Sequence, residues 1–141
     1  MTGRMLLGAL GATVLSVHLW HAHQNAVLQR QLSAMADVNG FIPVQMPDGA
    51  PAGTVLILAP VNCPSQVAQR ADALARELSR QGIPSIRRSG YSIAVVRRDM
   101  LPGIKRAFAL SGAPPVVLLD GHGKSDPSAQ AVIDEYHDDH S

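Results

Sequence analysis

The apolar residues of this chain fall into short continuous runs and into stripes of helical period. Two runs, residues 54–59 and 116–119, have the length and composition of strands that are buried on both faces. Residues 64–81 repeat apolar side chains at helical spacing, which predicts the most regular helix of the chain. Its stripe consists of Val67, Ala71, Leu74 and Leu78. Gly82 is suited to end this helix, because glycine readily adopts the left-handed conformation.

The remaining pattern predicts further elements around these two strands. Residues 83–88 read as a short strand, and residues 99–110 as a helix with Leu101, Ile104 and Phe108 on its apolar stripe. Asp120-Gly121 predicts a turn. A last helix then starts at Pro127, capped by Ser125 or Asp126. Its predicted stripe is Ala129, Val132, Ile133 and Tyr136. The order β-α-β-α-β-turn-α predicts an α/β sheet with flanking helices, whose first unit is a parallel crossover.

The N-terminal segment has a different pattern. Arg4 precedes an uncharged apolar run over residues 5–20, slightly shorter than the roughly 20 residues that span a bilayer. No small-residue cleavage site follows the run, so residues 1–23 are interpreted as an uncleaved membrane anchor, with a cleaved signal as the alternative. The positive-inside rule then predicts that the rest of the chain lies outside the cytoplasm, which is the periplasm if the cell is Gram-negative.

Residues 24–52 connect this segment to the domain predicted over residues 53–139. Residues 24–37 have helical periodicity, and Asn39-Gly40 is a C-terminal stop signal. Residues 41–53 are rich in proline and glycine, which predicts a linker without regular structure.

Composition narrows the function. The 141 residues carry a net charge of +1 with neutral histidines, which argues against a nucleic-acid-binding protein because such proteins present dense basic faces. Cys63 is the one cysteine, so no disulfide can form within the chain. It lies between the first apolar strand and the helix, where helical N–H groups favour a thiolate. Pro64 is expected in the first helical turn.

Two segments carry a resemblance to a known family. Residues 55–66 read VLILAPVNCPSQ and residues 115–121 read PVVLLDG. They resemble the thioredoxin superfamily, and glutaredoxins most closely, in which a buried strand leads to a Cys-Pro-x-Cys helix and a cis-proline opens a later strand. The resemblance implies a thioredoxin-like (glutaredoxin-like) sheet with flanking helices, preceded by an N-terminal hydrophobic helix. It also implies that Cys63 is the nucleophile and that Pro115 is the cis-proline. Pro64, Pro114 and Pro115 would line the binding site of a peptide or glutathione.

The chain departs from that family at two positions. Gln66 replaces the resolving cysteine, and Pro114 lacks the backbone N–H that the family offers to a bound peptide. The resemblance therefore implies a monothiol oxidoreductase that forms mixed disulfides with a partner protein or with glutathione as co-substrate, and that holds no resident cofactor. The alternative is a non-catalytic protein-interaction module at the membrane.

Other polar residues have alternative interpretations. His122 and Lys124 are candidates to lie beside the thiol or simply on an exposed turn. The arginine pairs 87–88 and 97–98 are candidates for binding acidic groups or are solvated ends of elements. The acidic segment 134–139, with His137 and His140, is interpreted as a solvated tail, with a weak cation site as the less favoured alternative, so no metal ligand is assigned. Asp72 is expected to pair with Arg76 four residues later.

Overall fold

The structure, a computed structural model, describes the backbone of residues 3–141 and the side chains from residue 14 onward. The chain divides into two compact units, Met1–Ala34 and Met35–Ser141. The first contains helix α1 (Gly3–Ala34), which covers much of the predicted anchor and continues beyond it. Residues 5–13 of the predicted anchor lie outside the residues with described side chains. Within the described residues, no helix combines the length and the apolar character needed to cross a membrane.

The second unit is a mixed α/β fold built on one five-stranded sheet. The strands are β1 (Ile42–Pro43), β2 (Val55–Leu58), β3 (Ser85–Arg88), β4 (Val116–Leu119) and β5 (His122–Ser125). Their order across the sheet is β1-β5-β4-β2-β3. Strands β2 and β3 are parallel, and every other neighbouring pair is antiparallel. The prediction that the two apolar runs share a sheet is confirmed, because Leu58 pairs with Val116.

Helices cover this sheet and complete its core. They are α2 (Gln66–Arg80), a 3₁₀ turn (Arg98–Met100), α3 (Leu101–Leu110) and α4 (Ala129–Asp139). All residues of β2 and β4 are buried, as their continuous apolar runs predict. Leu74 and Leu78 of α2 and Val132 of α4 pack into the same core cluster. This packing holds the C-terminal end of β2, and the loop after it, in a defined position.

The end of α2 is as predicted. Gly82 has a φ of +71°, and its N–H donates to the Ser79 carbonyl at 3.1 Å. The N–H of Ile83 donates back to the Leu78 carbonyl at 2.9 Å, and both side chains are buried. This pair of hydrogen bonds is the Schellman arrangement, which directs the chain from the helix into β3.

Two strands were not predicted. The Asp120-Gly121 turn is confirmed, with φ of +42° and +90°, but it is followed by β5. Two successive residues with positive φ match the twist of a tight hairpin, so the chain returns alongside β4. Strand β1 lies within the segment predicted to lack regular structure, and that prediction is wrong at Ile42–Pro43. Phe41 beside it is fully buried.

The apolar stripe predicted for α3 is confirmed at Ile104 but wrong at Leu101 and Phe108. Phe108 is 60% exposed, and the buried residues are Ile104, Ala107 and Leu110. A 3₁₀ turn precedes α3, which starts at Leu101, and the buried side of the helix carries Ile104, Ala107 and Leu110. The exposed Phe108 ring packs edge-on against Tyr91, with ring centroids 5.5 Å apart.

The predicted start of the last helix lies too early. Ser128 is the N-cap of α4, and its hydroxyl accepts the Ala131 N–H at 3.2 Å. The predicted apolar stripe of α4 does pack on the core, with Val132 fully buried. Glu135 lies on the same side and is only 3% exposed. Burial raises the pKa of Glu135, a hydrogen bond from Asn39 opposes this rise, and the nearby Asp37 carboxylate adds to it.

Candidate functional site

Cys63 lies in the loop that joins β2 to α2, and its side chain is exposed. Helix α2 begins at Gln66 rather than at Pro64. Ser65 is its N-cap, because its hydroxyl accepts the Ala68 N–H at 3.2 Å. Pro64 is therefore outside the helix, contrary to the prediction, and Cys63 lies two residues before the cap. The free N–H groups of the first helical turn are thus farther from the thiol than the sequence suggested.

A cavity of about 370 Å³ opens beside this cysteine. Its walls come from the loop, from the first half of α2 and from β3. The lining residues are Pro60, Val61, Asn62, Cys63, Pro64, Ala68, Asp72 and Arg87. The cavity therefore combines one thiol with one carboxylate and one guanidinium.

Arg87 forms the charged wall of this cavity. One terminal nitrogen contacts the Asp72 carboxylate, and the other donates to the Pro60 carbonyl at 2.9 Å. Within the described part of the chain, its Nε is buried without a hydrogen-bond partner. The pairing predicted between Asp72 and Arg76 is replaced by this longer-range contact. Arg87 is thus a member of the candidate site, and a charge at the end of a strand was its only signal in the sequence.

Side chains from the N-terminal half of α2 also bind the carbonyl groups of Pro64 and Pro114. The Gln69 amide donates to the Pro64 carbonyl at 3.1 Å, which secures the end of the cysteine loop. Arg70 donates to the Pro114 carbonyl at 3.0 Å and lies 3.3 Å from the Asp126 carboxylate. The sequence analysis did not identify Arg70 as part of the site. Its signal is a long cationic side chain in the first turns of α2, which is not specific.

The peptide bond between Pro114 and Pro115 is cis, as predicted. Pro115 precedes β4, whose first residue, Val116, pairs with Leu58 at the end of β2. The Pro115 carbonyl accepts the Asp126 N–H at 2.7 Å. Pro114 lines a second cavity of about 150 Å³, and Pro60 lines both this cavity and the one at Cys63. The Pro114-Pro115 segment and the loop that carries Cys63 and Pro64 thus lie at the same end of the sheet.

Other predicted candidates lie elsewhere or have other partners. Lys124 donates to the Asn39 carbonyl at 2.6 Å, and neither it nor His122 lines either of these cavities. Arg88 donates to the carbonyls of Asp48 and Gly49, both at 3.1 Å. The guanidinium of Arg97 is paired with Asp99 at 3.2 Å. Of the four arginines proposed to bind acidic groups, Arg87 is the one that lines the cavity of the thiol.

Comparisons of this chain with protein-family models, with curated proteins and with solved structures found no match.

Proposed function

We propose that residues 53–139 form a divergent thioredoxin-like domain whose Cys63 carries out monothiol exchange with disulfides. The observation that supports this most directly is the exposed thiol at the mouth of a cavity, in the loop that follows an interior strand. The pairing of β2 with β4 adds support, because it brings the proline that precedes β4 to the same end of the sheet. In the families that this chain resembles, the reactive cysteine likewise follows a buried strand, and a cis-proline opens a later strand of the same sheet.

The exchange has two steps. The Cys63 thiol loses its proton to solvent, and the thiolate attacks one sulfur of a substrate disulfide. A new S–S bond forms to Cys63 as the substrate S–S bond breaks, and the leaving thiolate takes up a proton. A second thiol, from glutathione or from a partner protein, then attacks the mixed disulfide and releases Cys63. The substrate disulfide is the oxidant and the external thiol is the reductant, because the chain contains no second cysteine.

A non-catalytic interaction module is the second candidate, and one contact favours it. The Pro114 carbonyl already accepts a hydrogen bond from Arg70. Pro114 also has no N–H, so the backbone groups that would pair with an extended peptide are either missing or engaged. We therefore expect exchange with peptide disulfides to be slow, and the mixed disulfide to persist until an external thiol is added.

The rate of mixed-disulfide formation tests this proposal. Oxidised glutathione is added to the folded chain and to the chain unfolded in urea, and the adduct is followed by intact-protein mass. We expect the folded chain to react roughly threefold faster or more, because the Arg87 guanidinium lines the same cavity and attracts the carboxylates of oxidised glutathione. A folded rate equal to or below the unfolded rate would reject exchange and leave the interaction module.

A charge substitution makes the same test more specific. Asp72→Asn removes the negative charge from the cavity and leaves Arg87 hydrogen-bonded to the Pro60 carbonyl. We expect it to speed the reaction by about two- to fivefold, the effect of one nearby charge in a solvated site. Asp134→Asn is the matched control, because this exposed carboxylate lies on α4 and accepts a hydrogen bond from Gln130. Equal rates in the two variants would contradict the assigned role of the cavity charges.

For the location, we propose that the apolar run over residues 5–20 anchors the chain, with the domain outside the cytoplasm, which is the periplasm if the cell is Gram-negative. The supporting observation is the uncharged run that follows Arg4. We expect the full chain to sediment with membranes and to resist carbonate extraction. Recovery mainly as a soluble protein trimmed near residue 22 would contradict the anchor and support a cleaved signal.

A further inference from the structure

A second group of chemically active side chains lies away from Cys63, where β5 packs beside α4. His122 comes from the first position of β5, and Glu135 and Asp139 lie four residues apart on α4. That spacing puts the two carboxylates on one face of the helix. One ligand atom from each residue lies within 4.8 Å of the other two. The proposed chemistry at Cys63 does not require these three side chains to lie together.

The imidazole of His122 supplies an independent observation. Its Nδ1 atom is buried and has no hydrogen-bond partner among the described residues. It is 3.7 Å from Oε1 of Glu135 and 3.9 Å from Oδ2 of Asp139, too far for hydrogen bonds. A buried ring nitrogen without a partner is unusual in proteins and requires an explanation. Here the atom lies within 4 Å of two carboxylate oxygens, so a single cation bound among them would give it a partner.

We propose that His122, Glu135 and Asp139 bind one divalent transition-metal ion, with Zn²⁺ as the ion that fits their donors. Imidazole nitrogen and carboxylate oxygen both bind zinc at about 2.0–2.2 Å. Ligands at that distance in a tetrahedral site are roughly 3.3 Å apart. The two separations from His122 Nδ1 therefore need to shorten by about half an ångström, and the two carboxylate oxygens, within 4.8 Å of each other, also have to approach. The partly exposed His122 and Asp139 leave a fourth position open to solvent.

The surroundings support this assignment. Glu135 has a side chain only 4% exposed, and Oε2 accepts the Asn39 amide at 3.0 Å. The same amide donates to Asp138 at 2.9 Å, and the Asn39 carbonyl accepts Lys124 at 2.6 Å. Hydrogen bonds of this kind orient metal-binding carboxylates. Buried Glu135 also has carboxylate neighbours, so a bound cation would compensate negative charge that is costly to bury.

Zinc binding to the metal-free chain tests the proposal. The full chain carrying Cys63→Ser is titrated with Zn²⁺ while the ¹⁵N shift of His122 Nδ1 is followed in long-range ¹H–¹⁵N spectra. The cysteine substitution removes the competing thiol, and a His122→Gln spectrum assigns the signal. We expect Nδ1 to shift on binding one ion, and Mg²⁺ at the same concentration to leave it unchanged, because Mg²⁺ prefers oxygen ligands.

Two substitutions complete the test. Asp139→Asn is expected to weaken zinc affinity at this site by at least about tenfold. His137→Gln, an exposed histidine on the same helix, should leave it unchanged. The proposal is overturned if Zn²⁺ binds elsewhere while His122 Nδ1 stays at its metal-free shift. It is also overturned if the shift follows pH alone, which would identify a simple ion pair between His122 and the carboxylates. The result does not depend on Cys63 reactivity.

Discussion

Replacing Phe41 with alanine should lower the free energy of unfolding by about 3–5 kcal/mol, the usual loss when a buried phenylalanine is truncated. The Phe41 ring is fully buried, and it belongs to the same core cluster as Val117 and Val132. Its backbone N–H and carbonyl are both bonded to Asp37 at 2.9 Å, so the local chain cannot readily collapse into the space left by the ring. Chemical denaturation followed by circular dichroism measures the effect.

The nearby Val38→Ala variant is the control for this experiment. Val38 is 94% exposed, and truncating it should change stability by no more than about 0.5 kcal/mol. A flexible linker would tolerate both substitutions equally. If Phe41→Ala unfolds at the same urea concentration as Val38→Ala, this segment does not belong to the core.

Gly103→Ala should destabilise the chain even though it lies within α3. In an unobstructed helix interior, alanine is favoured over glycine by about 1 kcal/mol. Here a Cβ at residue 103 would lie 2.7 Å from the backbone nitrogen of Gln45, an atom that no side-chain rotation can move away. Overpacking of this kind typically costs about 1–3 kcal/mol. We therefore expect a net loss in the free energy of unfolding rather than a gain.

Gly90→Ala separates this clash from a general effect of replacing glycine. A Cβ at Gly90 meets no atom within 4 Å, and the residue does not have a left-handed φ. The substitution should be neutral or slightly stabilising, because it restricts the unfolded chain. The same denaturation experiment on both variants gives the comparison. An increase in stability for Gly103→Ala would mean that α3 lies farther from the segment after β1 than the structure has it.

The parts of the fold that could be predicted are those specified by apolar side chains. The runs that form β2 and β4, and the stripe of α2, carry their own signal because burial selects aliphatic residues. Strand β5 carries almost none, because His122 and Lys124 are polar and the buried residue is Gly123. Its place in the sheet follows from the hairpin turn and from backbone pairing with β4. Hydrophobic patterning does not detect such a strand.

The helix starts were misplaced for one shared reason. In both α2 and α4 the sequence predicts a proline in the first turn, yet each helix starts after a Pro-Ser pair, with Ser65 and Ser128 as the N-caps. Each serine hydroxyl accepts the N–H three residues later, at 3.2 Å. A capping hydroxyl satisfies a donor that proline cannot, so the serine sets the boundary. The signal was present in the sequence as a serine directly before each helical stripe.

The candidate site was predictable in its thiol but not in its charges. Cys63 was identified because it is the one cysteine and follows an apolar strand. Local spacing favoured Arg76 as the partner of Asp72, whereas the fold brings Arg87 to it from the neighbouring strand. The approach of Arg70 to Pro114 likewise depends on how α2 lies over the sheet. Contacts between residues that are distant in sequence cannot be obtained from local periodicity.

The two edges of the sheet bear on how this chain behaves at high concentration. Strand β1 contains only two residues, and Pro43 has no N–H to offer while its carbonyl accepts a bond from Arg106. At the opposite edge, β3 ends in two arginines. Short strands, proline and positive charge at edges are the devices by which proteins prevent strands of separate molecules from pairing. Both edges thus oppose β-aggregation, which protects a domain whose strands β2 and β4 are wholly aliphatic.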